Sequence, residues 1–236
     1  MKHNQVKRGF ITDDLNINLT INIDGLPLTK SASHSIWPIL VQYDCSSLMN
    51  NPKKIFVVGL YYGLSKPSDV SEYFKHFLEE FTRLENGFEI DNMKCKLSIK
   101  CFTCDAPARQ FIKNIKSHNA YQGCERCTTE GVFLKGVVFP EVNCVPRTHG
   151  SFLETELSEH HRGESPLTKL KIDLVDDIVL DPMHLLYLGV TRKLLSLWIK
   201  GSKGNVRTKL GSQIISQLSS ISVSYTHLTL PTNREF

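Results

Sequence analysis

Along residues 16–28, Ile17, Leu19, Ile21 and Ile23 alternate with Asn18, Thr20 and Asn22. A period of two marks a strand with one buried face. The alternation stops at Asp24-Gly25, with Pro27 close behind, so Asp24 stands where the strand ends and the backbone turns. Residues 36–43 read as a second strand, in which Pro38 argues for an edge position or a bulge. After the turn at Asn51-Pro52, residues 54–62 are rich in branched and aromatic side chains and read as a third. Short connections favour an antiparallel meander of these three.

The period then changes. Pro67-Ser68-Asp69 is a helix start and Asn86-Gly87 a stop. Between them Val70, Tyr73, Phe74, Phe77, Leu78, Phe81 and Leu84 make one apolar stripe, which is core. Residues 96–103 alternate again, Leu97, Ile99 and Cys101 against Ser98, Lys100 and Phe102, as a fourth strand. It ends at Cys104-Asp105-Ala106-Pro107. Pro107 suits the first turn of a helix over 108–116, with Phe111, Ile112 and Ile115 on one side.

Residues 128–173 lack strong periodicity. A short strand within 132–139 is followed by Pro140, Pro146, Gly150, Gly163 and Pro166, the punctuation of an irregular insertion. Asp181-Pro182 then opens a helix reaching Trp198, Asp181 as its cap and Pro182 at its first position. A turn at 201–205 and a helix over 208–221 follow. Residues 1–14 form a polar tail. Residues 222–236 continue no pattern and resemble translated library-adapter sequence, so a non-native tail is expected there.

Composition narrows the class. The chain has 236 residues with 41% hydrophobic content, enough for one sizeable core. It holds no apolar run of membrane-spanning length and no apolar leader at the N-terminus. Four of the seven cysteines fall in two Cys-x-x-Cys pairs, which in an intracellular chain points to metal more than to disulfides. Cys101 and Cys104 sit three apart on a strand, facing opposite sides, and read as packing. Cys124 and Cys127 lie in a glycine-containing turn, where both thiolates can reach one tetrahedral Zn²⁺; free thiols are the alternative. Partners for them come from Cys144, His149, His160, His161 and His184. His184, beside Met183 and Leu185, reads by itself as a core histidine. The net charge of +4 is mild. Arg192, Lys193, Lys200, Lys203, Arg207 and Lys209 nevertheless run through 185–221 without an acid, either as a surface for phosphates or as a solvated face.

Alone, Asp24 is an Asp-Gly turn closing a hairpin. Asp105, a second carboxylate at a strand end, changes that. If the first and fourth strands lie side by side in a mixed sheet, the two acids meet at one edge, and a divalent cation relieves their repulsion. Hard oxygen ligands with room for water suit Mg²⁺, and two such ions can support phosphodiester cleavage. The order β-β-β-α-β-α with acids at those positions is that of the ribonuclease-H-like α/β fold.

The strings NIDGLPL with SIWPI after it, CDAPAR, YQGCERC and DPMHLLYLGV, in this order, resemble the catalytic region of CACTA-type (En/Spm-related) DNA transposases and genes derived from them. The resemblance covers about residues 16–221. It implies a ribonuclease-H-like core in which Asp24 and Asp105 are the first two catalytic aspartates and hold Mg²⁺ or Mn²⁺. It implies that Cys124 and Cys127 match a Cys-x-x-Cys in the insertion after the second aspartate, with His184 as a Zn²⁺ partner. It further implies DNA (transposon ends) as substrate, a nuclear location, no membrane, and room for a homo-oligomer. The family's third acid, a glutamate on a late helix, has no match, and no DNA-recognition domain is visible. The expectation is therefore a C-terminally truncated, inactive fragment of a DNA-cleaving and strand-transfer enzyme. The alternatives are a transposase-derived nuclear DNA- or protein-binding protein without catalysis, and the remnant of an element. The implied organisation is a tail (1–14), a core (15–117), a Cys/His insertion (118–180), a helical segment (181–221) and the terminal tail (222–236).

Overall fold

A computed structural model describes residues 15–28, 34–44, 54–154, 159–201 and 208–229, with side-chain burial given up to Ile221. The N-terminal tail, Lys203 and Arg207 lie outside the described residues. The chain divides into two compact units, Met1–Leu180 and Asp181–Phe236.

The first unit is a mixed α/β structure built on a seven-stranded sheet. Strand β1 (Leu15–Ile23) is followed by the two-residue β2 (Leu26–Pro27), then β3 (Ser35–Asp44) and β4 (Ile55–Gly63). β1 pairs antiparallel with β3, and β3 with β4, so the expected meander forms. After helix α1 (Val70–Glu85) come β5 (Phe88–Ile90) and β6 (Met93–Cys104). β6 returns to the other side of β1 and pairs with it in parallel. The outer side of β6 carries β5 at its start and β9 (Ile178–Leu180), in parallel, at its end. Across the sheet the order is thus β4-β3-β1-β6-β9.

Pro38 does not put β3 on an edge. β3 lies between β1 and β4, and the edge falls to β4, whose Ile55, Phe56, Val57, Val58 and Leu60 are exposed. The proline is tolerated because it stands between Ile36, paired with β2, and Ile39, paired with β1, where the ladder on that side is broken. A register shift beside it, at Ile39/Leu40, supplies the irregularity on the β4 side. The β5–β6 hairpin was not legible in the sequence; its turn uses Asp91 and Asn92 at φ 48° and 63°.

One sheet face makes the core. Leu19, Ile21 and Ile23 of β1, Trp37, Ile39 and Val41 of β3, and Phe102 and Cys104 of β6 are buried together. Helix α1, capped by Asp69, lays Val70, Phe74, Leu78 and Phe81 against them. Helix α2 (Ala106–Ile112) adds Ala108 and Ile112 and stops earlier than the apolar spacing indicates, because Asn114 turns to φ 51°. The insertion contributes too. Its single expected strand is a two-residue hairpin, β7 (Val132–Phe133) and β8 (Val137–Val138), and beyond it Phe152 of α3 (His149–Leu153), Leu167, Leu170 and Ile172 join the same core.

The second unit is helical. The helix expected from Asp181 to Trp198 begins instead as a π-helical segment, Met183–Thr191, and continues as α4 (Arg192–Lys200). A Cβ on Gly189 would stand 2.7 Å from the His184 carbonyl, so glycine is what permits this wider turn. His184 is exposed, as are Met183 and Leu185, which overturns its reading as a core histidine. Helix α5 (Ser212–Thr229) runs past Ile221. Among the described residues, no helix is long and apolar enough to cross a membrane.

Candidate functional site

Two strand tips define the first site. In the parallel β1–β6 pair, Ile23 is the register partner of Cys104. Asp24 and Asp105 are the next residues on each chain, so they leave neighbouring strands at the same end and level. Paired strands stand about 4.8 Å apart. The Asn22 side chain ties the tips, donating to Thr103 O at 2.7 Å. Beneath them lies the buried Cys104 thiol, pushed up to about 12 by burial, with the charges of Asp105 and Asp24 adding to the effect against Arg109. Both carboxylates therefore act on one sulfur.

Each aspartate is held by its surroundings. Asp105 is the N-cap of α2 and its Oδ1 accepts from Ala108 N–H at 2.8 Å. Asp24-Gly25 rests on Trp37: a Cβ on Gly25 would lie 2.6 Å from that ring. Trp37 packs edge-on against Phe111, which meets Tyr73 in the same way, and the Tyr73 hydroxyl donates to Trp37 O at 3.3 Å. The turn after β1 is thus fixed by an aromatic cluster, and not by a tight hairpin alone.

The second site is the thiol turn. Gly123 is required there, since a Cβ would meet Ser117 O at 2.1 Å. The Cys124 and Cys127 sulfurs are 3.1 Å apart. Residues 126–128 pair with 145–147 through Arg147 N–H to Arg126 O (2.9 Å), Thr128 N–H to Val145 O (3.1 Å) and a bridge between Cys127 and Pro146. Arg147 Nε also donates to Cys124 O at 3.0 Å. Burial works to raise the Cys127 thiol, but the neighbouring side chains of Thr129, Cys124 and Cys144 bring it down to about 7. Soft sulfur donors of this kind suit Zn²⁺ rather than Mg²⁺.

The residues between the two cysteines carry what the sequence reading missed. Glu125 accepts from Arg109 Nε at 3.2 Å through both oxygens and lies 3.6 Å from Lys113 Nζ. Arg109 Nη1 donates to Cys104 O at 2.8 Å. Arg126 donates to Val175 O and to Ile178 O of β9. The thiol turn is therefore anchored to α2 and to β9 by its two intervening charges. The signal was present in Asp105, Arg109 and Lys113, spaced by fours along α2, with an acid between the thiols.

The histidines separate. His160 is buried and its Nδ1 is 2.6 Å from Gln122 O. His149 Nδ1 accepts from Leu174 N–H at 3.1 Å. His161 packs edge-on against Phe152 with ring centroids 4.5 Å apart. His184 lies in the second unit, with Nδ1 2.5 Å from Asp181 Oδ2. Among the described residues no three His, Cys, Asp or Glu side chains are grouped as a ready-made metal cage. Arg192, Lys193, Lys200 and Lys209 are on described parts of the second unit.

No protein-family model matches this chain, and neither does any curated protein.

Proposed function

We propose that the first unit is a ribonuclease-H-like core of transposase type, in which Asp24 and Asp105 hold a divalent cation for phosphodiester chemistry on DNA. The observation that carries the reading is the register of Ile23 with Cys104, which brings two distant acids to adjoining strand tips. The order β4-β3-β1-β6-β9, antiparallel on one side of β1 and parallel on the other, supports it. Mg²⁺ or Mn²⁺, when bound, offsets the two carboxylate charges and polarises a phosphoryl oxygen. The donor set fits, with one qualification of chemistry: Asp105 Oδ1 is engaged in capping α2, so its cation contact falls to Oδ2. Asn22 and the Trp37 cluster hold the two acids in place. Cys124 and Cys127 would hold Zn²⁺ and stiffen the insertion that packs behind α2.

Titrating the full chain with Mn²⁺ and following bound ion by electron paramagnetic resonance tests this. One site is expected, lost in Asp24→Asn and in Asp105→Asn. Equal affinity in both variants and the wild type would remove the reading.

The second reading is a DNA-binding protein of the same ancestry without catalysis. It is favoured by the fact that, among the described residues, no third carboxylate is grouped with Asp24 and Asp105. Phosphodiester cleavage needs that further ligand to fix the ions, so DNA binding without Mn²⁺-dependent nicking is the outcome that selects it.

A further inference from the structure

We propose that Cys144 and His160 complete the Cys124–Cys127 pair, forming a Cys₃His Zn²⁺ site within the first unit. This rests on reading that pair as half of a zinc site; it does not depend on the aspartates or on DNA.

The third sulfur follows from backbone pairing. Residues 126–128 run antiparallel to 145–147, and Cys144 enters that ladder one residue before Val145. The Cys127 sulfur stands 3.1 Å from that of Cys124, and Cys144 is among the side chains that act on it. Cys127 bridges to Pro146, so Cys144, two residues before it, falls on the same face of the ladder as Cys127. The three thiols are not grouped beforehand and draw together on the ion. Two thiolates each 2.3 Å from one tetrahedral zinc stand about 3.8 Å apart. The Cys124 and Cys127 sulfurs therefore open by about 0.7 Å to admit the ion, which side-chain torsion supplies.

The fourth donor follows from hydrogen-bond chemistry. Gln122 O can only accept, so His160 Nδ1 carries the proton and Nε2 keeps its lone pair. That Nε2 is buried and has no hydrogen-bond partner among the described residues. A metal-ligating imidazole characteristically donates its other N–H to a backbone carbonyl or carboxylate. Here the carbonyl belongs to the residue two before Cys124, so one loop carries the first thiol and orients the ring. The other two candidate imidazoles of the insertion are differently engaged: His149 Nδ1 takes the Leu174 N–H, and His161 packs on Phe152. Three thiolates on Zn²⁺ leave one negative charge, and Arg147, whose guanidinium acts on both Cys124 and Cys127, is placed to offset it.

The experiment uses the full chain loaded with Co²⁺ in place of Zn²⁺. Thiolate-to-cobalt charge-transfer absorption scales with the number of thiolates, so Cys144→Ser should lose about one third of it while Cys101→Ser loses none. His160→Ala should keep the thiolate bands and shift the ligand-field bands as a non-protein ligand takes the fourth position. His184→Ala should match the wild type. Alkylation of the unmutated protein followed by mass spectrometry reads the same site without any variant: Zn²⁺ should protect Cys124, Cys127 and Cys144 together and leave Cys101 unchanged. Full charge-transfer intensity in Cys144→Ser, or Cys144 alkylated equally with and without Zn²⁺, would overturn the four-residue set and leave the half-site standing. No ion bound by the wild type would overturn both, with the Mn²⁺ titration unaffected.

Discussion

Arg109 Nε lies 3.2 Å from both carboxylate oxygens of Glu125, and the two side chains are only 5% and 10% exposed. The pair joins the helix that Asp105 caps to the turn that carries Cys124 and Cys127. A buried ion pair adds little net stability over an apolar one, but removing one partner strands the other. Arg109→Ala is therefore expected to destabilise the first unit by about 3–5 kcal/mol, because it leaves Glu125 with Lys113 alone and Cys104 O without its donor. Urea denaturation followed by circular dichroism measures this. A loss below about 1 kcal/mol, the range of exposed pairs, would show that the pair is solvated in solution.

Lys113 gives the same network a pH signature. Burial brings its ammonium down to about 8, with Glu125 opposing and the charges of Arg126 and Arg109 assisting. An unfolded lysine titrates at about 10.4. Between those values the unfolded chain binds a proton that the folded chain has released, so the Lys113 contribution to stability rises as pH increases from about 8 to about 10.4. Unfolding free energies of the wild type and Lys113→Met across that window should diverge, the wild type gaining relative to the variant. Parallel curves would mean that Lys113 titrates as an exposed lysine does.

Asp105 has two separable duties. As N-cap it accepts from Ala108 N–H, and loss of such a cap costs about 1 kcal/mol. As a cation ligand it must be charged. Asp105→Asn keeps an acceptor in the capping position, so it is expected to leave urea stability nearly unchanged while abolishing Mn²⁺ binding. Asp105→Ala is expected to lose both. If Asp105→Asn keeps wild-type Mn²⁺ affinity, the residue is only a cap.

Much of this was legible from periodicity. The run from Ile17 to Ile23 and the stripe from Val70 to Phe81 depend on local spacing, and each formed where that spacing placed it. The helix expected over 108–116 starts at Ala106 and ends at Ile112. The parallel return of β6 to β1 is non-local, and nothing in the two strings fixes it, although acids ending both strands hinted at it. Pro38 left an edge and a bulge open; the irregularity at Ile39/Leu40 is present, while the edge falls to β4. Local sequence could not choose, because a proline's cost depends on which neighbour its missing N–H faces, and the break between β1 and β2 is a tertiary fact. Asp24-Gly25 read as an ordinary turn; that the glycine answers to the Trp37 ring could not be known from either residue. The roles of Glu125 and Arg126 were hidden for the same reason. A charge between two cysteines has no meaning until α2 and β9 are seen beside it.

The second unit carries the salt-dependent part of the functional reading. Arg192 and Lys193 open α4, Lys200 closes it and Lys209 follows, with no acid from 185 to 221. If these residues meet phosphates, DNA affinity falls linearly on a log–log plot against salt, with a slope of about −0.9 for each phosphate neutralised. A solvated helix face has no such dependence. Fluorescence anisotropy with duplex DNA at several salt concentrations is expected to show a steep slope for the full chain. The double variant Arg192→Gln/Lys193→Gln should flatten it by up to roughly two such increments, since both side chains are exposed and their loss leaves the fold intact. The loss should be similar for unrelated sequences, because phosphate contacts position a protein on DNA without reading bases. An affinity that does not change with salt, or a double variant with the wild-type slope, would remove this segment as a DNA surface.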